Sequence, residues 1–317
     1  MTPNSNAIFT LCSHLCVGDD VFPLEPREWT ELADKLKNAG LKPEDIFNLS
    51  KADFKEKLLV EDSFSERIFR LIDRNASLAF ELSRLENIGI IAITRADKEY
   101  PAKLKAVLGK KCPPLFYAAG DTSLLKFEYA GYVGSRKITD DDIEFTNNTV
   151  SKTAQSGYGV VSGGAKGVDT VSEQKALELG VPVVEYLSDS MLKKTGKHDV
   201  SKAIRDNQML LLSAVNPDAG FNVGTAMMRN KFIYAQSSGT VVIRSEYNTG
   251  GTWAGSTDCI QNNWCTVFCR DKKSYQGNQK LIEKGAIPIT DSWDGNIEKN
   301  KPDTDCGKTQ VQMSLFD

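Results

Sequence analysis

Three short stretches of this chain hold the residue types that bind anions: Gly134-Ser135-Arg136, Ser162-Gly163-Gly164-Ala165-Lys166-Gly167 and Gly250-Gly251-Thr252. Glycine lets a backbone approach a ligand closely. A helix starting just beyond it aims unpaired N–H groups and partial positive charge at that ligand. Arg136 and Lys166 add full charges, and Arg229-Asn230-Lys231 adds two more on a segment rich in methionine and aromatics. The chemistry this predicts is the holding of several phosphates at once. None of the three has the spacing of a P-loop or of Gly-x-Gly-x-x-Gly, so nucleotide hydrolysis and dinucleotide binding are not indicated. A second basic cluster, Lys193, Lys194, Lys197, Lys202 and Arg205, is opposed only by Asp199 and Asp206; it reads either as a solvated loop or as an electrostatic funnel for a polyanion.

Such stretches act together only if one scaffold brings them to one edge. Strand patterns fall at Tyr129–Val133, Gly159–Ser162, Val183–Leu187, Met209–Val215, Thr240–Ile243 and Thr266–Cys269. Helical patterns fall at Asp140–Ser156, Val168–Leu179, Val223–Ser237 and Gly251–Gln261. This alternation, with apolar strands, predicts an α/β fold with a doubly wound, mostly parallel sheet. Its ligand crevice lies beyond the carboxyl ends of the strands, where all three glycine-bearing turns would stand. Ahead of it, Pro26 to about Gly89 has helical periodicity, with one helix predicted from Phe64 through Leu85, followed by a short strand at Ile90–Ile93. The expected division is a helical domain over residues 1–89, a sheet domain over 90–290 and a mobile tail over 291–317.

The 317 residues are 40% hydrophobic and 26% charged, which excludes a disordered or fibrous chain. No apolar run reaches the roughly 18 residues of a spanning helix, and no secretory leader is read at the N-terminus. Formal net charge is −3, so nucleic-acid binding must rest on a local patch. Seven cysteines without a Cys-x-x-Cys pair indicate a reducing, cytoplasmic setting. Cys259, Cys265 and Cys269 read as small apolar groups near the last strand, and Cys12 and Cys16 bracket His14; no metal site and no cofactor is expected. His14 and His198 are the only histidines, and neither has a catalytic setting.

Taken in order, these motifs resemble the DprA/Smf (DNA-processing protein A) family. The residues that carry the resemblance are Tyr100-Pro101 with Leu104, Pro113-Pro114-Leu115-Phe116-Tyr117 with Gly120, and Val133-Gly134-Ser135-Arg136. Val161 to Asp169, Arg229-Asn230-Lys231 and Thr249-Gly250-Gly251-Thr252 complete the series. It spans about residues 85 to 270. The resemblance implies a Rossmann-like domain that binds single-stranded DNA, a homodimer, and a role in loading a RecA-type recombinase. Other relatives sit in phage-defence gene pairs as antitoxins that restrain a toxic partner. Carried over by position, Arg136 and Lys166 would hold phosphates, the Ser162–Gly164 backbone would cradle one, and Arg229, Asn230 and Lys231 would line the pocket beside Gly250, Gly251 and Thr252. Four departures mark a divergent branch. Ser172-Glu173-Gln174 stands where the family usually has a histidine, Ser213-Ala214 where it has Ser-Glu, Arg-Asn-Lys for Arg-Asn-Arg, and Cys269-Arg270-Asp271 for Pro-Gly. No winged-helix pattern follows residue 290.

At the C-terminus, Gln312-Met313-Ser314-Leu315-Phe316-Asp317 resembles the peptide by which bacterial proteins dock on the sliding clamp. Leu315 and Phe316 would fill an apolar groove and Gln312 would bond its rim; the alternative is packing on the chain's own domain. The reading of the whole is a non-enzymatic, single-stranded-DNA-binding protein with no membrane attachment. Two rivals remain. One is a phosphoribohydrolase-like nucleotide enzyme, suggested by Gly250-Gly251-Thr252, although Trp253-Ala254-Gly255 follows where such enzymes place a glutamate. The other is an antitoxin acting purely by protein interaction.

Overall fold

The computed structural model describes residues 1–18 and 21–299, which form two units: residues 1–119 with 214–216, and residues 120–213 with those from 217 on. In the first unit, Pro3–Cys12 forms a helix (α1) that the periodicity did not single out. Ala7 through Cys12 are buried without a break, and a helix buried on all sides shows no amphipathic stripe. Pro26–Asn38 (α2) turns Trp29, Leu32 and Leu36 inward as their spacing predicts, and a Glu25/Glu28 capping box closes its start. A 3₁₀ turn at Pro43–Asn48 and a short helix at Lys51–Glu56 (α3) follow. The single helix expected over 64–85 is two, Asp62–Asp73 (α4) and Asn75–Asn87 (α5). They part at Arg74, whose backbone leaves helical geometry (φ −83°, ψ 4°) while its guanidinium donates to the carbonyls of Thr10 and Leu15 at 2.6 and 2.7 Å. Ile91–Thr94 (β1), Ala102–Leu108 (α6) and Leu115–Ala119 (β2) complete this unit; β1 and β2 pair antiparallel, Ile91 opposite Ala118 and Thr94 opposite Leu115. This pair packs with α1 and α5, so the unit runs on to residue 119, past the division expected at 89.

The second unit is the alternating α/β domain. Its strands are Tyr129–Val133 (β3), Gly159–Ser162 (β4), Val183–Leu187 (β5), Met209–Ser213 (β6), Gly239–Val242 (β7), Thr266–Arg270 (β8) and Ile287–Ile289 (β9). They are parallel, in the order β6-β5-β4-β3-β7-β8-β9. β3 through β7 are buried along their whole length, as strands covered on both faces must be. The helices are Asp140–Gln155 (α7), Val168–Glu178 (α8), Met191–Thr195 (α9), His198–Arg205 (α10), Val223–Gln236 (α11), Gly250–Asn262 (α12) and Gln276–Glu283 (α13). The chain builds outward from β3 to β6, then crosses back to place β7 on the other side of β3. The strand order therefore reverses between β3 and β7, the position at which open α/β sheets leave a crevice.

The expectation of a mobile tail from 291 is corrected over its first part. Trp293 is 8% exposed and Ile297 fully buried. The Trp293 ring lies 5.2 Å from that of Phe268 on β8. Ile297 fills space that only a glycine at 239 leaves, since a Cβ there would lie 2.7 Å from Ile297 Cγ2. Two apolar residues four apart in a polar stretch are too sparse a pattern to show as an element. Ile297→Ala is expected to lower stability by about 2–4 kcal/mol, read as a lower urea midpoint at unchanged m-value; an unmoved midpoint would show that this segment does not pack.

Candidate nucleic-acid interface

Each glycine-bearing turn is shaped by what presses against it. Beyond β3, a Cβ on Gly134 would lie 2.4 Å from Val168 Cγ2, and Ser135 N–H donates to the Arg244 carbonyl beyond β7 at 2.9 Å. Beyond β4, Gly167 has φ +87°, and a Cβ there would lie 2.3 Å from the Ser135 carbonyl oxygen. The first two turns are thus in backbone contact. Gly163 leaves its side-chain space to Arg229 of α11, whose Nη1 lies 1.0 Å from where a Cβ would be. The next residue of α11, Asn230, donates through Nδ2 to the Gly251 carbonyl at 3.4 Å at the start of α12. Gly134, Ser135, Arg136, Gly163, Gly164, Lys166, Gly167, Gly250, Gly251 and Thr252 accordingly belong to the turns and helix starts beyond β3, β4 and β7, while Ser162 and Arg229 are buried beneath them and Asn230 ties α11 to α12. Lys231 is half-buried one position further along α11.

Much of the expected anion-binding capacity is already used from within. Asp169 Oδ2 accepts the N–H groups of Gly163 (3.1 Å) and Ala165 (3.3 Å). Glu173 Oε1 accepts that of Gly164 (3.1 Å) and pairs with the Ser162 hydroxyl. The Ser162–Gly164 backbone, expected to cradle a ligand phosphate, therefore cradles two carboxylates of α8. Among the described residues, the N–H groups of Lys166 and Gly167 have no partner.

Beneath the turn lies a buried charge cluster that the sequence reading missed. Asp169, Glu173 and Glu185 are 6%, 6% and 0% exposed. Lys194 pairs with Glu185 at 2.6 Å and Arg229 approaches Asp169 at 4.0 Å. Arg229 is itself buried, and among the described residues its Nε and Nη1 have no hydrogen-bond partner. Burial raises the Asp169 carboxyl. It raises Glu173 further still, with the negative charge of Glu185 adding to the effect. Glu185 is raised by burial as well. Burial lowers the Arg229 guanidinium. For Lys194 burial also lowers, but the carboxylates of Glu185 and Glu173 outweigh it and the ammonium is held up. The one signal for this cluster in the sequence is glutamate at 185 inside an apolar strand.

Outward, the rim shows exposed Arg136 and Lys166. The Arg136 guanidinium stands 5.9 Å over the ring of Phe221, which is 58% exposed. Val223 and Met227, one helical turn apart on α11, are 65% and 49% exposed. The sequence reading noted the methionines but not Phe221. The second basic cluster is helical rather than a loop: α9 and α10 carry it. Lys194 turns inward to Glu185, Lys202 pairs with Asp206 at 2.9 Å, and Lys193 and Lys197 remain exposed. Gln312, Leu315 and Phe316 lie outside the described residues.

Residues 91–298 match the family of DNA recombination-mediator protein A. Among curated proteins, the DNA processing protein DprA of Bacillus subtilis (strain 168) is 26% identical over 207 residues, 63% of this chain and 68% of its own length. That of Streptococcus pneumoniae is 25% identical over 232 residues, 68% and 78% of the two chains. The solved structure of the Streptococcus pneumoniae protein superposes with a TM-score of 0.64 at 22% identity, covering 84% of this chain and 95% of that one. DNA processing protein A of Helicobacter pylori, known for a single-stranded-DNA binding mode of its own, gives a TM-score of 0.51 at 23% identity over 66% and 93% of the chains.

A raised carboxyl pKa in the folded state means that stability is present below the unfolded value, about 4.3 for glutamate, and is lost as pH rises through the folded value. Glu173→Gln removes that titration. Its stability relative to the parent should therefore increase as pH rises above about 4.3, in urea unfolding across a pH series. A difference that stays constant with pH would show that Glu173 does not titrate upward.

Proposed function

The chain belongs to the DNA recombination-mediator protein A family, and from that premise we propose that it binds single-stranded DNA along the rim beyond β3, β4 and β7, by holding and not by catalysis. The observation that carries this reading is an exposed cation, Arg136, standing over an exposed aromatic ring, Phe221, with a second exposed cation, Lys166, on the neighbouring turn with which its own is in backbone contact. Cations that follow a phosphate backbone, together with an aromatic face on which a base can stack, are what sequence-tolerant single-strand binding requires. Gly134, Gly167 and Gly251 bring the backbone close at the rim, and Lys166 and Gly167 offer the unpartnered N–H groups. Arg229 supports the turn from beneath Gly163. Asn230 ties α11 to α12, and Lys231 continues the basic edge.

The homodimer, the RecA-type recombinase, the toxin partner and the sliding clamp are partners that this reading accommodates in a cytoplasmic protein. The family's description as a recombination mediator supports the recombinase among them. Among the described residues no helix is long and apolar enough to cross a membrane.

Salt titrations of binding to a mixed-sequence single strand test the reading. Arg136→Ala and Lys166→Ala should each weaken binding whatever the sequence and reduce the slope of log K against log salt by about 0.7. Phe221→Ala should lose about 1–3 kcal/mol with the slope unchanged. Parent-like affinity and slope in all three would overturn the assignment, as would turnover of nucleoside 5′-monophosphates by the parent.

A further inference from the structure

Cys259 and Cys265 close the far end of α12, the helix whose start forms part of the rim. Cys259 is fully buried in the last turn of that helix, and Cys265 stands half-buried just before β8. The chain turns between them through Asn263, which takes left-handed geometry (φ +57°), and Trp264 N–H returns to the Cys259 carbonyl at 3.2 Å. This tight reversal brings the two Sγ atoms to 3.6 Å. The Cys259 thiol also reaches the Cys265 carbonyl at 3.4 Å, and Cys265 Sγ lies 3.3 Å from Thr240 Oγ1. Both thiols are reduced in the structure.

We propose that Cys259 and Cys265 form a redox modification site: a thiol pair that a hydroperoxide converts to an intramolecular disulfide. Sulfurs at 3.6 Å are in van der Waals contact, and a disulfide bond of about 2.05 Å is reached by small side-chain rotations. The order of events follows from exposure. The hydrogen bond to Cys265, together with burial, holds the Cys259 thiol far above its ordinary value and therefore protonated. Cys265, the more exposed of the two, meets the oxidant first. Its thiol gives up its proton as the sulfur attacks the peroxide, an S–O bond forms and the O–O bond breaks, and the departing hydroxide takes up that proton, leaving a sulfenic acid and one water. The Cys259 sulfur then attacks that sulfur, the S–S bond forms, the S–O bond breaks, and hydroxide departs with the Cys259 proton as a second water. Two thiols are oxidised by two electrons in all, and one hydrogen peroxide is reduced to two waters. The product would pin the end of α12 to the start of β8. Cys269, on β8 itself, bonds to the Asn278 carbonyl at 3.7 Å and takes no part.

The test treats the folded, full-length protein with hydrogen peroxide, then denatures and alkylates it without reductant. Trypsin releases residues 245–270 as one peptide containing Cys259, Cys265 and Cys269. That peptide should be lighter by two hydrogens and carry one alkyl group. Cleavage after Trp264 and Phe268 should leave the fragments bearing Cys259 and Cys265 joined until reductant is added, with the alkyl group on Cys269. The Cys269→Ser protein should behave like the parent, and Cys265→Ser should lose the bridge. Three alkylated thiols after treatment, Cys265 carried to sulfinic acid with Cys259 still alkylatable, or a bridge that survives in Cys265→Ser would overturn the proposal. The cleavage after Trp264 and Phe268 separates all three cysteines in the parent protein alone, so a variant that fails to fold does not spoil the test.

Discussion

The grip of two buried carboxylates on one glycine-rich turn is the interaction on which the rim depends. Asp169 and Glu173 lie one helical turn apart in α8, and their oxygens take the N–H groups of Gly163, Gly164 and Ala165. Amides pointing into a dry interior must find acceptors, and the carboxyl oxygens of Asp169 and Glu173 supply them. The same residues that lock the turn also fix where it leads. Gly167 is brought against the Ser135 carbonyl, and Lys166 is left facing outward between them. Position 173 falls in the Ser172-Glu173-Gln174 stretch where the family usually has a histidine, and the structure gives that departure a use, since Glu173 closes the turn.

This arrangement imposes a charge problem. Three carboxylates, Asp169, Glu173 and Glu185, share a buried region with two cations, Arg229 and Lys194. Isolated charge is strongly disfavoured away from water. The cluster answers in two ways: cations are drawn inward from segments that would otherwise show them to solvent, and a proton is favoured on Glu173. Lys194 is the clearest case, a lysine of a surface-like basic cluster committed to Glu185. Arg229 is another, stacked into the space that Gly163 leaves open. The positive potential of the rim is therefore smaller than the count of basic residues in its motifs suggests. It rests on Arg136 and Lys166, with amides near Gly167 in support.

Rigidity beneath and exposure above suit a surface that holds a long, repetitive anion. A turn whose inner amides are already satisfied does not need a ligand to be stable, and it presents its outer cations at fixed spacing. Phe221 and the apolar residues at the start of α11 give that surface a face without charge beside one with it. The reversal of strand order between β3 and β7 sets where this happens, because only there do turns from both halves of the sheet open side by side.

The sequence by itself determined the alternation, and with it the sheet. The strands at 129–133, 159–162 and 183–187 were legible residue for residue, since buried parallel strands are short apolar runs bounded by glycine and polar turns. It also determined which turns carry glycine and charge. What it did not show were features in which one-dimensional pattern and three-dimensional role part company: α1, buried without a break from Ala7 to Cys12; the break at Arg74, whose side chain reaches carbonyls far away in the chain; and the anchoring of Trp293 and Ile297. The tertiary structure alone decided which charges face outward. Arg136, Lys194 and Arg229 look alike as letters, but burial depends on what the rest of the chain places around each one. Charges that find carboxylates in the interior, as Lys194 and Arg229 do, turn inward, while Arg136 stays in water beside an aromatic ring.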